Sequence, residues 1–211
     1  MTSPLDSLAP DERDRVHAAP APAHAHLMKA VLHRQSFSDP QWLFERKLDG
    51  IRCLAIRTAD DLRMLSRNDR DLGGRYPAVR DALAAQDGHA FAIDGELVAF
   101  AGSQTSFQQL VARDRDPGAV FLYAFDVLWL DGDDVRALPL RTRKRLLRSA
   151  ITSGGPLRLS THRGVGAITW VEPELVAQLG FTEWTRAGRL RHPRFQGLRD
   201  DKAATEVVRE R

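Results

Sequence analysis

The residues best equipped for chemistry fall in one stretch, F-E-R-K-L-D-G-I-R, Phe44 to Arg52. It brings together a primary amine (Lys47), a carboxylate (Glu45) and a guanidinium (Arg52). A lysine attacks an electrophile only as the neutral amine. A free lysine, with a pKa about 10.4, is neutral in roughly one molecule in 2,500 at pH 7. Cationic neighbours or desolvation are needed to make it nucleophilic. A second set of charges lies on F-A-I-D-G-E-L-V-A-F, Phe91 to Phe100, where Asp94, Glu96 and Val98 share one side of a strand and Ile93, Leu97 and Ala99 the other. Two carboxylates on one face of an apolar strand are costly unless they meet cations or a ligand. Asp126 interrupts the nearly continuous apolar run Ala119 to Leu130, and it too requires partners.

These residues need particular elements to hold them. From Trp42 the pattern alternates as in a strand, with Trp42, Phe44, Arg46 and Leu48 on one side and Leu43, Glu45, Lys47 and Asp49 on the other. Asp49-Gly50 reads as a two-residue hairpin turn, because both residues tolerate positive φ, and a strand follows over Ile51 to Arg57. Taken alone, K-x-D-G fits a solvated hairpin equally well. Further strands are expected at Asp61 to Ser66, at Phe91 to Phe100 and, buried on both faces, at Ala119 to Leu130, which Asp131-Gly132 closes with a turn. Pro77 to Gln86 reads as a short helix with proline at its first position. A helical turn is expected at Ser106 to Val111. Leu140 to Ala150 is a basic amphipathic helix whose charges read as a solvated face. Beyond Gly164 the chain breaks into short β-like segments (I-T-W-V, then L-V-A-Q-L-G-F-T-E-W-T) and the turn Ala187-Gly188.

Composition narrows the class. A 211-residue chain, 43% hydrophobic, suits one domain or one domain with a small appendage. It has no apolar run of eighteen residues and no basic-then-apolar leader, which argues against a membrane protein. The single cysteine, Cys53, rules out an internal disulfide, and no Cys/His cluster has zinc spacing. A bacterial cytoplasm is the expected location. Four lysines, Lys29, Lys47, Lys144 and Lys202, leave arginine as 27 of the 31 basic residues. The sequence pI of about 9.4 permits nucleic acid as a partner without establishing it. Met1 to His26, rich in Ala and Pro, reads as a mobile leader, and its His17, His24 and His26 do not make a metal site.

Several segments in order carry a family resemblance. K-L-D-G-I-R, S-R-N-D, I-D-G-E-L-V-A-F, A-F-D-V-L-W-L-D-G and R-F-Q-G-L-R-D-D-K together resemble the ATP-dependent DNA ligases, within the covalent nucleotidyltransferases that include RNA ligases and capping enzymes. The ligase domain of bacterial non-homologous end-joining ligases is the nearest in kind, and the resemblance spans Leu27 to Glu210. It implies the N-terminal part of an α+β, antiparallel-sheet adenylation domain, incomplete, over 27–163 and a C-terminal remnant of an OB-fold over 164–211. It further implies that Lys47 attacks the α-phosphate of ATP to form lysyl-AMP, with Mg²⁺ or Mn²⁺ as cofactor. The AMP then passes to a 5′-phosphate in nicked or broken double-stranded DNA. By the same resemblance Glu45 reads the adenine amino group, and Arg52 and Arg67 meet ribose and phosphates. Glu96 holds the ribose hydroxyl, with a further metal role for it and, weakly, for Asp94. Phe125 stacks on adenine, while Arg199, Asp201 and Lys202 orient the leaving group. A monomer acting in DNA repair and recombination beside other end-joining proteins, and nucleoid-associated if active, is the implied setting.

The chain also departs from that pattern. The family's E-G-[VLI]-[VIM]-[AV]-K motif and a later K-x-K, whose lysines grip the α-phosphate, are absent, and no lysine lies between Lys144 and Lys202. Thr161-His162-Arg163 runs directly into sequence resembling the late part of the oligonucleotide-binding domain. The pattern therefore implies a missing internal segment and impaired catalysis. Two alternatives stand beside it: a non-catalytic nucleotide- or DNA-binding remnant, and an RNA ligase or capping-type transferase.

Overall fold

The apolar run before Asp131 becomes the strand on which the main sheet is assembled. In this computed structural model the described residues are 3–24, 27–31, 39–101, 104–111, 119–164, 176–181, 183–184, 190–191, 193–199, 201 and 203–207. The chain divides into two units, Met1–Val165 and Gly166–Arg211. In the first, β8 (Phe121–Leu130) pairs antiparallel with β5 (Phe91–Val98), β5 with β3 (Ile51–Arg57), and β3 with β4 (Leu62–Ser66). On its other edge β8 takes β9 (Asp133–Asp134) antiparallel and β10 (Leu157–Leu159) parallel, and β1 (His17–Ala18) adds to β9. Asp131 (φ 51°) and Gly132 (φ 104°) make the expected turn between β8 and β9.

Both faces of this sheet are covered. Cys53, Ala55, Ile93, Leu97 and Val127 join Val79 and Leu83 of α2 (Pro77–Ala84) and Leu146 and Leu147 of α4 (Leu140–Ala150) in the main core. The alternate residues Leu54, Ile56, Ala92 and Trp129 pack with Leu27 on the opposite face. A small hairpin, β6 (Phe100–Ala101) with β7 (Gln104–Thr105), leads to α3 (Phe107–Val111), which buries Leu110. No described helix is long and apolar enough to cross a membrane.

Two expectations are corrected here. Residues 3–24 form a packed strap, not a mobile leader. After a 3₁₀ turn at Pro4–Ser7 and α1 (Pro10–Arg13), the strap pairs through β1. Leu5 and Leu8 enter the main core, and Trp129 Nε1 donates to the Ala19 carbonyl at 2.7 Å. A few apolar anchors and backbone bonds hold a segment whose average composition reads as disordered. Nor do residues 42–57 form a hairpin. β3 has β4 on one edge and β5 on the other, so no edge remains for β2 (Phe44–Glu45). β2 pairs instead with β11 (His162–Arg163), antiparallel, and Arg46–Asp49 form a loop. Gly50 is required for space: a Cβ there would lie 2.0 Å from the Leu97 carbonyl oxygen.

Among its described residues the second unit contains two antiparallel pairs, β12 (Val176–Gly180) with β15 (Arg194–Arg199) and β13 (Glu183–Trp184) with β14 (Leu190–Arg191), and a 3₁₀ turn at Ala204–Glu206. These pairs do not by themselves define an OB barrel. The expected I-T-W-V segment and the Ala187-Gly188 turn lie outside the described residues.

Candidate functional site

An open cavity of about 1110 Å³ lies in the first unit, and Glu45, Lys47, Arg52, Arg67, Glu96 and Phe125 all line it. Six parts of the fold deliver them. Glu45 ends β2 and Lys47 sits on the following loop. Arg52 is the second residue of β3, Arg67 follows β4, and Glu96 and Phe125 lie on β5 and β8. Residues scattered over some eighty positions of sequence thus share one concave surface, where ligands are usually held.

Arg52 organises the floor. Its Nε and Nη2 donate to the two oxygens of Asp94 at 2.9 and 2.6 Å, its Nη1 donates to the Met28 carbonyl at 2.9 Å, and its guanidinium lies 5.4 Å from the centre of the Phe125 ring. Asp94 is buried. Burial pushes its carboxyl above the ordinary range, while Arg52 pulls it down. On the neighbouring strand Asp126 stands opposite Asp94 and receives Arg143 Nε and Nη2 at 2.8 and 2.9 Å. Two adjacent buried carboxylates are thereby each matched by a bidentate arginine, a strong form of ion pair. Glu96 accepts from the Gly50 N–H at 3.2 Å. Its carboxyl is raised by burial, against the opposing pull of that N–H, of Arg52 and of Lys47.

This geometry revises the metal assignments. Both oxygens of Asp94 accept from Arg52, and Asp94 is not among the residues lining the cavity, so of the two carboxylates Glu96 is the one exposed to a bound cation. Among the described residues no group of three His, Cys, Asp or Glu side chains is arranged to hold a metal. Glu96 remains available. Mg²⁺ commonly takes one or two carboxylates together with substrate phosphates and waters, and Glu96 with a bound triphosphate fits that donor set.

The residue that sequence reasoning missed is Lys144. The basic residues of α4 divide: Arg141, Arg145 and Arg148 stay on the exposed face, Arg141 donating to the Pro40 carbonyl and Arg145 meeting Glu12 at 3.0 Å, whereas Arg143 pairs with Asp126 and Lys144 turns inward. Lys144 itself is 2% exposed, and its Nζ donates to Glu45 Oε1 at 2.8 Å and to the Phe125 carbonyl at 2.7 Å. The signal was its place on the stripe formed by Leu140, Lys144, Leu147 and Ile151, where helical periodicity points inward. Nearby, burial followed by Lys144 and Arg148 holds the His162 imidazole below its ordinary range. In the second unit Arg199 donates to both oxygens of Asp201 at 2.7 and 2.6 Å and to Gln178 Oε1 at 3.0 Å. Lys202 lies outside the described residues.

A lysine, two carboxylates, two arginines and an aromatic ring thus share one cavity beside the main sheet. Comparison with known proteins supplies the family. The family model described as ATP dependent DNA ligase domain matches residues 22–175, and the chain belongs to that family. It is similar to the multifunctional non-homologous end joining protein LigD of Mycolicibacterium smegmatis, 35% identical over 116 residues (54% of this chain, 15% of that protein). DNA ligase C of Mycobacterium tuberculosis is 31% identical over 163 residues, 71% of this chain and 44% of that protein. The LigD of M. tuberculosis is 24% identical over 286 residues, 81% of this chain and 38% of that protein. The chain spans less than half the length of each. In that last match, 81% of 211 residues is about 171, so roughly 115 of the 286 positions stand opposite no residue here. Among solved structures, the ligase domain of M. tuberculosis LigD aligns with a TM-score of 0.45 at 22% identity, over 80% of this chain and 92% of that one.

Proposed function

We propose that the cavity binds ATP and that Lys47 is the nucleophile of a self-adenylation step, leading toward sealing of nicks or ends in double-stranded DNA. The reading rests on one observation: of the seven residues that the sequence motifs single out in the first unit, six line the same cavity, and the seventh, Asp94, holds Arg52 of that lining. In this step the Lys47 amine loses a proton and attacks the α-phosphorus. A nitrogen–phosphorus bond forms, the bond to the bridging oxygen breaks, and pyrophosphate leaves. Glu45 meets the adenine amino group, Phe125 stacks on the base, Glu96 holds the ribose, and Arg52 and Arg67 face the phosphates. Bound Mg²⁺, held by Glu96 and the triphosphate, supplies charge neutralisation of the leaving group. In the second unit Arg199, Asp201 and Lys202 retain the motif assigned to the leaving group.

The same reading makes the reaction slow. Single charge-stabilising donors at a reacting centre are worth about 10²–10³ in rate, and the α-phosphate lysines of the family have no counterpart here. Lys144 does not replace them, because its amine is committed to Glu45 and Phe125. An internal deletion after His162 accounts for the unmatched positions in the longest alignment. It also accounts for the shortness, among the described residues, of the β2–β11 pair, two residues in each strand. Incubation with α-labelled ATP and Mg²⁺ tests the reading. Weak labelling that is lost in Lys47→Ala is the expected result; complete labelling within minutes would refute the impairment, and no ATP binding would refute the site. The missing lysines also favour a second reading, a module that holds nucleotide or nicked DNA without chemistry. Salt-sensitive DNA binding with no lysyl-AMP at any time would select it.

A further inference from the structure

The buried amine of Lys144 has no part in the proposed chemistry, yet it touches two walls of the cavity at once. Glu45 and Phe125 both line that cavity, whereas Lys144 lies behind them. β2, which carries Glu45, has no ladder to the seven-stranded sheet that carries Phe125, and its own pairing with β11 extends over two residues. From α4, Lys144 Nζ reaches Glu45 Oε1 and the Phe125 carbonyl and so links the two sheets. A buried ammonium is costly unless acceptors surround it. Here a carboxylate and a carbonyl do so, and their positions become fixed relative to each other.

We propose that Lys144 is a positioning residue for nucleobase discrimination, holding the Glu45 carboxylate at a set place beside the Phe125 ring. The proposal rests on reading the cavity as an adenine-nucleotide site. An ionised carboxylate only accepts hydrogen bonds. Adenine offers an amino donor where guanine offers a carbonyl acceptor, so a fixed carboxylate favours the first and opposes the second. Mounted on a two-residue strand without its anchor, the same carboxylate turns away and the preference is lost.

Titration of the full chain with ATP and with GTP, each with Mg²⁺, tests this in the wild-type protein, Lys144→Met, Glu45→Gln and the double variant, with circular dichroism to monitor folding. Lys144→Met is expected to lower the ATP-to-GTP affinity ratio about tenfold. Added to Glu45→Gln it is expected to lower the ratio no further, since the two residues act as one unit. An unchanged ratio in Lys144→Met, or a second equal fall in the Glu45→Gln background, overturns the positioning role and leaves the nucleotide site standing. Failure of the wild-type chain to bind ATP overturns both. Should Lys144→Met alone not fold, the comparison of Glu45→Gln with the double variant decides, because that pair leaves no carboxylate without its cation.

Discussion

Arg52 shows how one side chain serves structure and site together. Its guanidinium neutralises Asp94, ties the chain at Met28 and lies beside Phe125. Arg52→Ala strands a buried carboxylate, and breaking such a pair costs about 3 kcal/mol or more. A fall in urea midpoint, largely recovered in Arg52→Leu/Asp94→Leu, is the expected result. The carboxyls also set a pH dependence. Asp94 and Glu96 are both raised in the folded chain from ordinary values of 3.8 and 4.5, so the folded state keeps protons that the unfolded state has released. Stability therefore falls as pH rises through the window that opens at those values. Glu12, lowered chiefly by the Thr142 hydroxyl, and Asp134, lowered chiefly by Arg136, act oppositely: their contribution is present above the ordinary carboxylate range and is lost as pH falls. Glu96→Gln should flatten the part of the decline above pH 4.5 in a series of thermal midpoints.

Among the elements, the β2–β3 connection is the most constrained. Gly50 lies three residues after Lys47 and two before Arg52, and its missing Cβ lets the loop press against β5 at Leu97. Gly50→Ala is expected to destabilise by about 1–3 kcal/mol through overpacking and to weaken ATP binding as Lys47 shifts. Calorimetry of the variant with and without nucleotide measures both effects. The strap over residues 3–24 makes a second case. Deleting residues 1–15 removes Leu5 and Leu8 from the core and Glu12 from Thr142 and Arg145. A lower thermal midpoint is expected, although composition alone would call the deletion harmless. β8, α2 and α4 were legible in the sequence because their apolar periodicity is local. The hairpin at Asp49-Gly50 was misread because turn chemistry states what a dipeptide tolerates, whereas strand pairing depends on which edges remain free.

For the molecule as a whole, every residue lining the cavity lies between Leu27 and Ser160, inside the first unit. A chain ending at Val165 is therefore expected to keep most of the ATP affinity of the full chain, measured by titration. Self-labelling should fall further in it, because Arg199, Asp201 and Lys202 are gone. Retained labelling would show that this motif contributes nothing to the step. The ordered motifs from Lys47 to Lys202 were enough, by sequence alone, to specify the ligase family, because each is a short local pattern and their order survives any folding. The absence of the family's later lysine motifs, with no lysine between Lys144 and Lys202, was equally visible there. Tertiary structure alone decided that Asp94 belongs to Arg52 and that β2 joins β11. It also decided that the strap is packed and that Lys144 stands behind Glu45. Each of these is a pairing between residues distant in the chain, and what selects it is burial and the availability of a partner, which no local pattern encodes.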